Sequence, residues 1–346
     1  MGKIIGLTYD LKTDWVLNEN DPKDLNAEFD SPYVVDAVVK ALESGGHKVK
    51  RIGNVRSLLR QIDNLNVDIV MNLCEGYLGR NRESQVPLLL EMYSIPFIGS
   101  DALSQAITLD KSVAKQIFIA EGVPTPRYFK ARSSDNLQQL NKIGFPLIVK
   151  TCHEGTSKGI SDKSRVEDLA SLKRQVDLIN KTYNQPALVE EFIKGKEFTV
   201  AVLGNEHPRA MPVIQTTIDG QLDLGDKFYT FERVQNANTI RYICPAQISA
   251  ELEKKIREIA VRAYQAIGCR DMARIDFRVD EKGNPYVLEI NPLPSFSRED
   301  VFNIFPKVIH STYEEIINYI VNLALERHGL LDSKIIIKNE TLVKIS

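Results

Sequence analysis

Histidine and cysteine are sparse in this 346-residue chain, at five and four residues. The cysteines, Cys74, Cys152, Cys244 and Cys269, are scattered with no C-x-x-C pair. That spacing argues against zinc and against a disulfide framework, and it fits a reducing cytoplasm. The scattered histidines make a histidine-based metal centre unexpected. No apolar stretch approaches the roughly 20 residues needed to span a bilayer. The start, MGKIIGLTYD, has neither the h-region nor the cleavage site of a signal peptide. Gly6 stands where a myristoylation signal needs Ser or Thr. Charge of one sign is lacking too: 44 Lys and Arg face 46 Asp and Glu. Neither nucleic acid nor an anionic membrane is an expected partner. There is no internal repeat and no low-complexity run. The length suffices for two or three compact units with real cores.

The first hundred residues alternate between strand and helix patterns. Lys3–Thr8, Lys48–Ile52, Val67–Met71 and Pro96–Ile98 read as strands. Val34, Val35, Val38, Val39 and Leu42 have helical spacing, and Gly45 and Gly46 end that helix. Further helices are expected at Val55–Ile62 and Ser84–Tyr93. Such alternation implies a mainly parallel sheet with helices on both faces. Helical pattern near 101–121 leads into a mixed region, and 186–242 is strand-rich. An amphipathic helix follows over Ser249–Ile267, then a hairpin over 271–291 and a helix near 312–327. The expected units are an N-terminal parallel α/β domain (1–100), a central α+β domain (101–187), a C-terminal α+β domain (188–330) and a tail (331–346).

The most informative stretch is DMARIDFRVDEKGNPYVLEINP. Ala273, Ile275, Phe277 and Val279 alternate with Arg274, Asp276 and Arg278, and residues 281–284 supply a turn. On the return strand, Tyr286, Leu288 and Ile290 alternate with Val287, Glu289 and Asn291. Antiparallel pairing brings Asp276, Glu289 and Asn291 onto one face, an all-oxygen cluster of the kind magnesium prefers. Arg274 beside it can neutralise charge developing on an acyl-transfer intermediate. A solvated polar hairpin face is the competing reading. Against it stands the sudden Glu-Ile-Asn after an apolar run, followed by Pro292 and Pro294.

A buried-strand run ends at Lys150 and leads into Thr151-Cys-His-Glu-Gly-Thr-Ser-Lys-Gly159. Glycines and small hydroxyl residues let backbone N–H groups approach phosphate oxygens, and Lys150 adds a point charge. The loop lacks the G-K-[ST] ending of a Walker loop; an ordinary surface loop is the alternative. Taken alone, Lys111 after Asp110 reads as a solvated helix-start charge, and Glu197 as a strand-end charge. Glu190–Ile193 reads as a linker whose backbone groups can bond an adenine edge, and Glu197 suits ribose hydroxyls.

The order of these signals resembles the ATP-grasp superfamily, and within it the D-alanine–D-alanine ligases, over about residues 3–328. It runs Asp-Lys, a strand ending in Lys, a small-residue loop, Glu-Glu-Phe-Ile-x-Gly-x-Glu, then Arg-x-Asp and Glu-x-Asn. Ile95-Pro-Phe-Ile-Gly99 and Tyr242-Ile-Cys-Pro-Ala246 match as well. The resemblance implies a three-domain ATP-grasp fold and amide formation through an acyl-phosphate. Lys111 and Lys150 would hold ATP phosphates under the loop of Glu154, Gly155, Thr156 and Ser157, with Thr156 standing where the family has a serine. Glu190, Glu191, Phe192 and Ile193 would meet adenine and Glu197 the ribose; the flexible loop that offers Lys-Tyr in the family has Arg233-Val234, or Lys227 upstream, to reach the ATP. Asp276, Glu289 and Asn291 would bind two magnesium ions, with manganese an alternative. Arg274 and the backbone near Ser295 would stabilise the tetrahedral intermediate. A homodimer is implied by the resemblance alone.

Departures from the family pattern fall on the substrate side. Residues 72–85 replace the family's His and G-x-x-G-E-D-G run, and offer Glu75, Arg80, Arg82 and Glu83 as pocket residues. Glu28-Phe-Asp30-Ser31 is a loose counterpart of the Glu-Val-Ser that grips the first amino acid. Asp300-Val301 stands where Ser-Leu receives the second carboxylate, with Arg298 as a compensating cation. The implied partners are small amino-acid or carboxylic-acid substrates. Two rival readings are a non-catalytic nucleotide-binding regulator and a dinucleotide oxidoreductase. The intact carboxylates and arginine oppose the first; the missing G-x-G-x-x-G after the first strand opposes the second.

Overall fold

The computed structural model describes residues 2–331 except Val16, Asn20, Tyr77 and Ala237, so the expected tail lies, apart from Leu331, outside the described residues. Three sheets organise the chain. The first holds four parallel strands in the order Lys48–Gly53, Ile4–Tyr9, Ile69–Leu73, Phe97–Ile98. Its central strand Ile69–Leu73 is buried at every residue, as a parallel strand covered on both faces must be. Helices Pro32–Ser44 and Tyr313–Arg327 share a core with one face. Helices Val55–Gln61 and Gln85–Met92 supply Leu58, Val86 and Leu90 to the other. No helix among the described residues is long and apolar enough to cross a membrane.

The second sheet is antiparallel, in the order Tyr128–Ala131, Ala187–Glu191, Leu147–Thr151, Arg165–Val166. Helix Leu169–Tyr183 covers it through Leu172, Val176 and Ile179. The third runs Ile240–Ile243, Ile214–Ile218, Gly195–Leu203, Met272–Asp280, Pro285–Asn291, also antiparallel, with Arg209–Ala210 paired to Gly195–Leu203. Helix Ala250–Ile267 buries its Ile256, Ile259, Ala260 and Ala263 stripe against this sheet. Ser249 caps it by accepting from the Leu252 amide, and Gly268 closes it at φ +77°.

One expectation gains detail and one changes. The helical patterns near 101–121 are two helices, Ala102–Leu109 and Lys111–Ala120, the second starting at Lys111 as its place after Asp110 implied. Asp110 separates them, because its carboxylate caps the second helix by accepting from the Ser112 and Val113 amides. The return strand of the hairpin does not alternate strictly. Asp276 pairs with Glu289 but Phe277 with Val287, so Leu288 is a bulge residue. The bulge puts Val287 and Ile290 in the core together, and turns Leu288 with Glu289 and Asn291 toward the interior cavity.

Candidate active site

A cavity of about 560 Å³ opens where the three sheets meet, lined from the first by Leu73, from the second by Lys150 and Thr151, and from the third by Glu197, Arg274, Asp276, Glu289 and Asn291. Hairpin pairing sets Asp276 opposite Glu289 and Arg274 opposite Asn291. Arg274 grips Asp276 at both oxygens, Nε to Oδ1 at 3.1 Å and Nη2 to Oδ2 at 3.0 Å. Thr199 donates its hydroxyl to Asp276 Oδ1 at 2.7 Å, and Asn291 its amide to Oδ2 at 3.3 Å. Burial pushes the Asp276 carboxyl up, and Arg274 only partly offsets this because Glu289 adds repulsion. Burial acts on Glu289 too, but Lys111, Lys150 and Arg274 together hold it below the usual range. Lys111 is buried, not solvated, with its ammonium 3.4 Å from Glu289.

The loop after Leu147–Thr151 forms the roof. Thr156 and Ser157 take left-handed backbone conformations, φ +47° and +55°, which are costly for a β-branched residue. The loop is clasped to the N-terminal segment. Glu28 accepts from the Gly155 amide, from Arg82 at 2.7 Å and from Lys158 at 3.0 Å. Asp24 accepts from the Gly159 amide and the Tyr183 hydroxyl, both at 2.8 Å. Lys111 donates to the Glu154 carbonyl, and Arg82 to that of His153.

Of the remaining sequence-based candidates, Glu154, Gly155, Asp30, Ser31, Glu75 and Ser295 line the cavity. Nine do not, and each side chain or carbonyl is engaged elsewhere. Glu190 is buried between Lys115 and Lys150, 2.6 Å from each ammonium. Glu191 pairs with Arg127, and Phe192 packs on Phe228. The Ile193 carbonyl accepts from Arg278, which also pairs with Glu197 at 2.6 Å. Arg233 turns to Asp162, Arg80 to Asp110, and Arg298 to Glu314 over the Tyr313 ring. Arg82 and Glu83 stand behind the wall beside Glu28. Arg298 therefore does not offset Asp300, which itself lies 3.6 Å from Arg274. Sequence reading missed Lys115 and Lys158. The first sits one helical turn after Lys111, a spacing that places both on one face; the second lies inside the loop already singled out.

The family model described as D-ala D-ala ligase C-terminus matches residues 117–322. The chain belongs to the D-alanine–D-alanine ligase family. A D-alanine--D-alanine ligase of Carboxydothermus hydrogenoformans is 33% identical over 84% of this chain and 92% of that protein. A protein of Sinorhizobium fredii called y4sG is 33% identical over 85% of this chain and 88% of its own length. Among solved structures, a D-alanine--D-alanine ligase of Bacillus anthracis complexed with ATP superposes with a TM-score of 0.72 at 21% identity, covering 95% of this chain and 99% of that one. The VanG D-Ala:D-Ser ligase of Enterococcus faecalis gives 0.71 at 21% identity, over 94% and 100%. These likenesses establish the ATP-grasp fold. As a D-alanine–D-alanine ligase family member, the chain is an ATP-dependent carboxylate–amine ligase, ADP-forming, rather than an oxidoreductase or a non-catalytic regulator.

Proposed function

We propose that this cavity binds ATP and joins an amino-acid-type carboxylate to an amine through an acyl-phosphate. The observation that carries the reading is the facing pair Asp276 and Glu289, with Arg274 and Asn291 beside them and Lys111 at 3.4 Å. A carboxylate oxygen of the first substrate attacks the γ-phosphorus, and ADP leaves. The amine then attacks the acyl carbon, and phosphate leaves. Lys111 and Lys150 position phosphate oxygens under the Glu154–Ser157 loop, so their work is alignment and charge balance. Arg274, with the backbone near Ser295, stabilises the oxyanion formed at the acyl carbon. Ile148, Phe228 and Leu288 supply an apolar wall suited to adenine, and Glu197, which lines the same cavity, would accept from the ribose hydroxyls.

The donor set fits a hard cation. Asp276, Glu289 and Asn291 offer only oxygen ligands, and Asp276 is held above its usual value by burial and by its neighbour's charge, a condition that a divalent ion relieves. Two magnesium ions there would neutralise triphosphate charge.

D-Alanine is the first substrate to test, because relatives carry its name. The experiment is phosphate release from ATP with magnesium and D-alanine, then with D- and L-amino acids in pairs, with mass spectrometry of products. A dipeptide of D-alanine supports that substrate. Release only with another acid–amine pair keeps the ligase and removes D-alanine. No release with any pair, ATP binding intact, overturns the reading.

A further inference from the structure

We propose that Arg278 is a positioning residue for the nucleotide: it holds the Glu197 carboxylate for the ribose hydroxyls and, through the same guanidinium, seats the segment that brings Phe228 to the base. This rests on the ATP reading above and adds the residue that shapes the nucleoside half of that site. Arg278 is 3% exposed and does not line the cavity, so it acts through other groups. Strand pairing sets it opposite Glu197, and its Nη1 donates to Glu197 Oε2 at 2.6 Å. Its Nε donates to the Ile193 carbonyl at 2.9 Å. Its Nη2 donates to the carbonyls of Gly225 at 3.0 Å and Lys227 at 2.8 Å. One planar group thus joins the linker after strand Ala187–Glu191, strand Gly195–Leu203 and the segment before Phe228.

Two of the residues it fixes face the cavity. Glu197 lines it, and with Oε2 taken by Arg278 its Oε1 is left to accept from a ligand's hydroxyls. Burial pushes the Glu197 carboxyl up, Arg278 pulls it back, and the charges of Asp276 and Glu289 add to the rise. The arginine therefore favours the ionised form, the better acceptor. Phe228 follows Lys227 directly and lines the cavity with Ile148 and Leu288. Its ring packs edge-on against Phe192, centroids 5.7 Å apart, and the Arg278 guanidinium lies 5.6 Å from the Phe192 ring. The ribose acceptor and the apolar base wall are thereby set by one side chain. A rigid fork with donors in fixed directions can serve four acceptors at once; the single ammonium of a lysine cannot.

Nucleotide binding tests this without either substrate of the amide bond. The full chain with magnesium is titrated in a calorimeter with ATP and with 2′,3′-dideoxy-ATP, which lacks both hydroxyl donors. The expected Kd is roughly tenfold to a hundredfold lower for ATP, the range for hydrogen bonds to a charged group. Arg278→Met should shrink that ratio about tenfold, because Glu197 loses the partner that keeps it charged and aimed. Added to Glu197→Gln, the same change should leave that variant's ratio as it is, since the group it acts through is gone. A purely structural loss would weaken both nucleotides alike and leave the ratio unmoved. Arg278→Lys keeps a buried cation but gives up the fork; it is the second variant should the first fail to fold, and should lower the ratio about threefold. Equal affinity for the two nucleotides, or a ratio unmoved in folded variants, overturns this proposal alone. No binding of either nucleotide overturns the ATP reading beneath it.

Discussion

Asp276 takes donors from Arg274, Thr199 and Asn291 while facing a second carboxylate across the hairpin. Replacing it by Asn keeps the volume and removes the charge. Phosphate release should fall about 10²–10³-fold, the loss typical of a preorganised electrostatic group, with thermal stability nearly unchanged. Steady-state kinetics beside a melting curve separates that outcome from misfolding. Asp30 gives a prediction in pH. Its carboxyl is held at about 7, chiefly by burial, against 3.8 when unperturbed. The folded chain therefore binds more protons than the unfolded one between those values, so this group's contribution to stability falls as pH rises from about 4 to 7. Asp30→Asn should raise the melting temperature by about 2–4 °C at pH 8, for roughly 1 kcal/mol after discounting for solvent, and do little at pH 4. An equal shift at both pH values would exclude the linkage. The hairpin carboxylates were legible from alternation, because a period of two is a strong signal. Glu190 was not, since its partners Lys115 and Lys150 come from a helix and a strand far away in sequence.

Local rules sufficed for helix Ala250–Ile267, where cap, stripe and terminal glycine agree. They failed for part of strand Pro285–Asn291, because one bulge residue breaks the alternation without a mark in composition: Glu289 and Asn291 keep the expected face, but Val287 enters the core and Leu288 turns to the cavity. The loop over the cavity lies between these cases. Its residues were singled out, but the clasp that holds Thr156 and Ser157 left-handed comes from Asp24 and Glu28, more than a hundred residues earlier. Asp24→Ala removes the acceptor of both Gly159 N–H and Tyr183 O–H. Two hydrogen bonds to a carboxylate are worth about 3 kcal/mol or more. Amide exchange across 155–160 should accelerate about 10²-fold, while helix Ala250–Ile267 exchanges as before. Unchanged exchange in the loop would mean that Glu28 and Lys158 alone hold it.

At the scale of the whole molecule, sequence pattern yields the sheets but not how they dock, because docking residues are few and single. Asp271 is one of them. It is fully buried and accepts from the Gly99 amide at 2.8 Å, from Asn205 at 3.0 Å, and from Arg327 at 3.2 and 2.7 Å. Arg327 also donates to the Phe97 and Gly99 carbonyls. One carboxylate thus joins the end of the first sheet, the third sheet and the last helix. Arg327→Met leaves that charge buried without its cation, which costs about 3–5 kcal/mol. Denaturant unfolding should show this as a midpoint shift at constant slope. Adding Asp271→Asn to Arg327→Met removes the orphaned charge and should recover part of the loss, which a role for Arg327 in packing alone would not allow. A single variant losing under about 1 kcal/mol would place the energy of docking in the apolar contacts of helix Tyr313–Arg327 with helix Pro32–Ser44 instead.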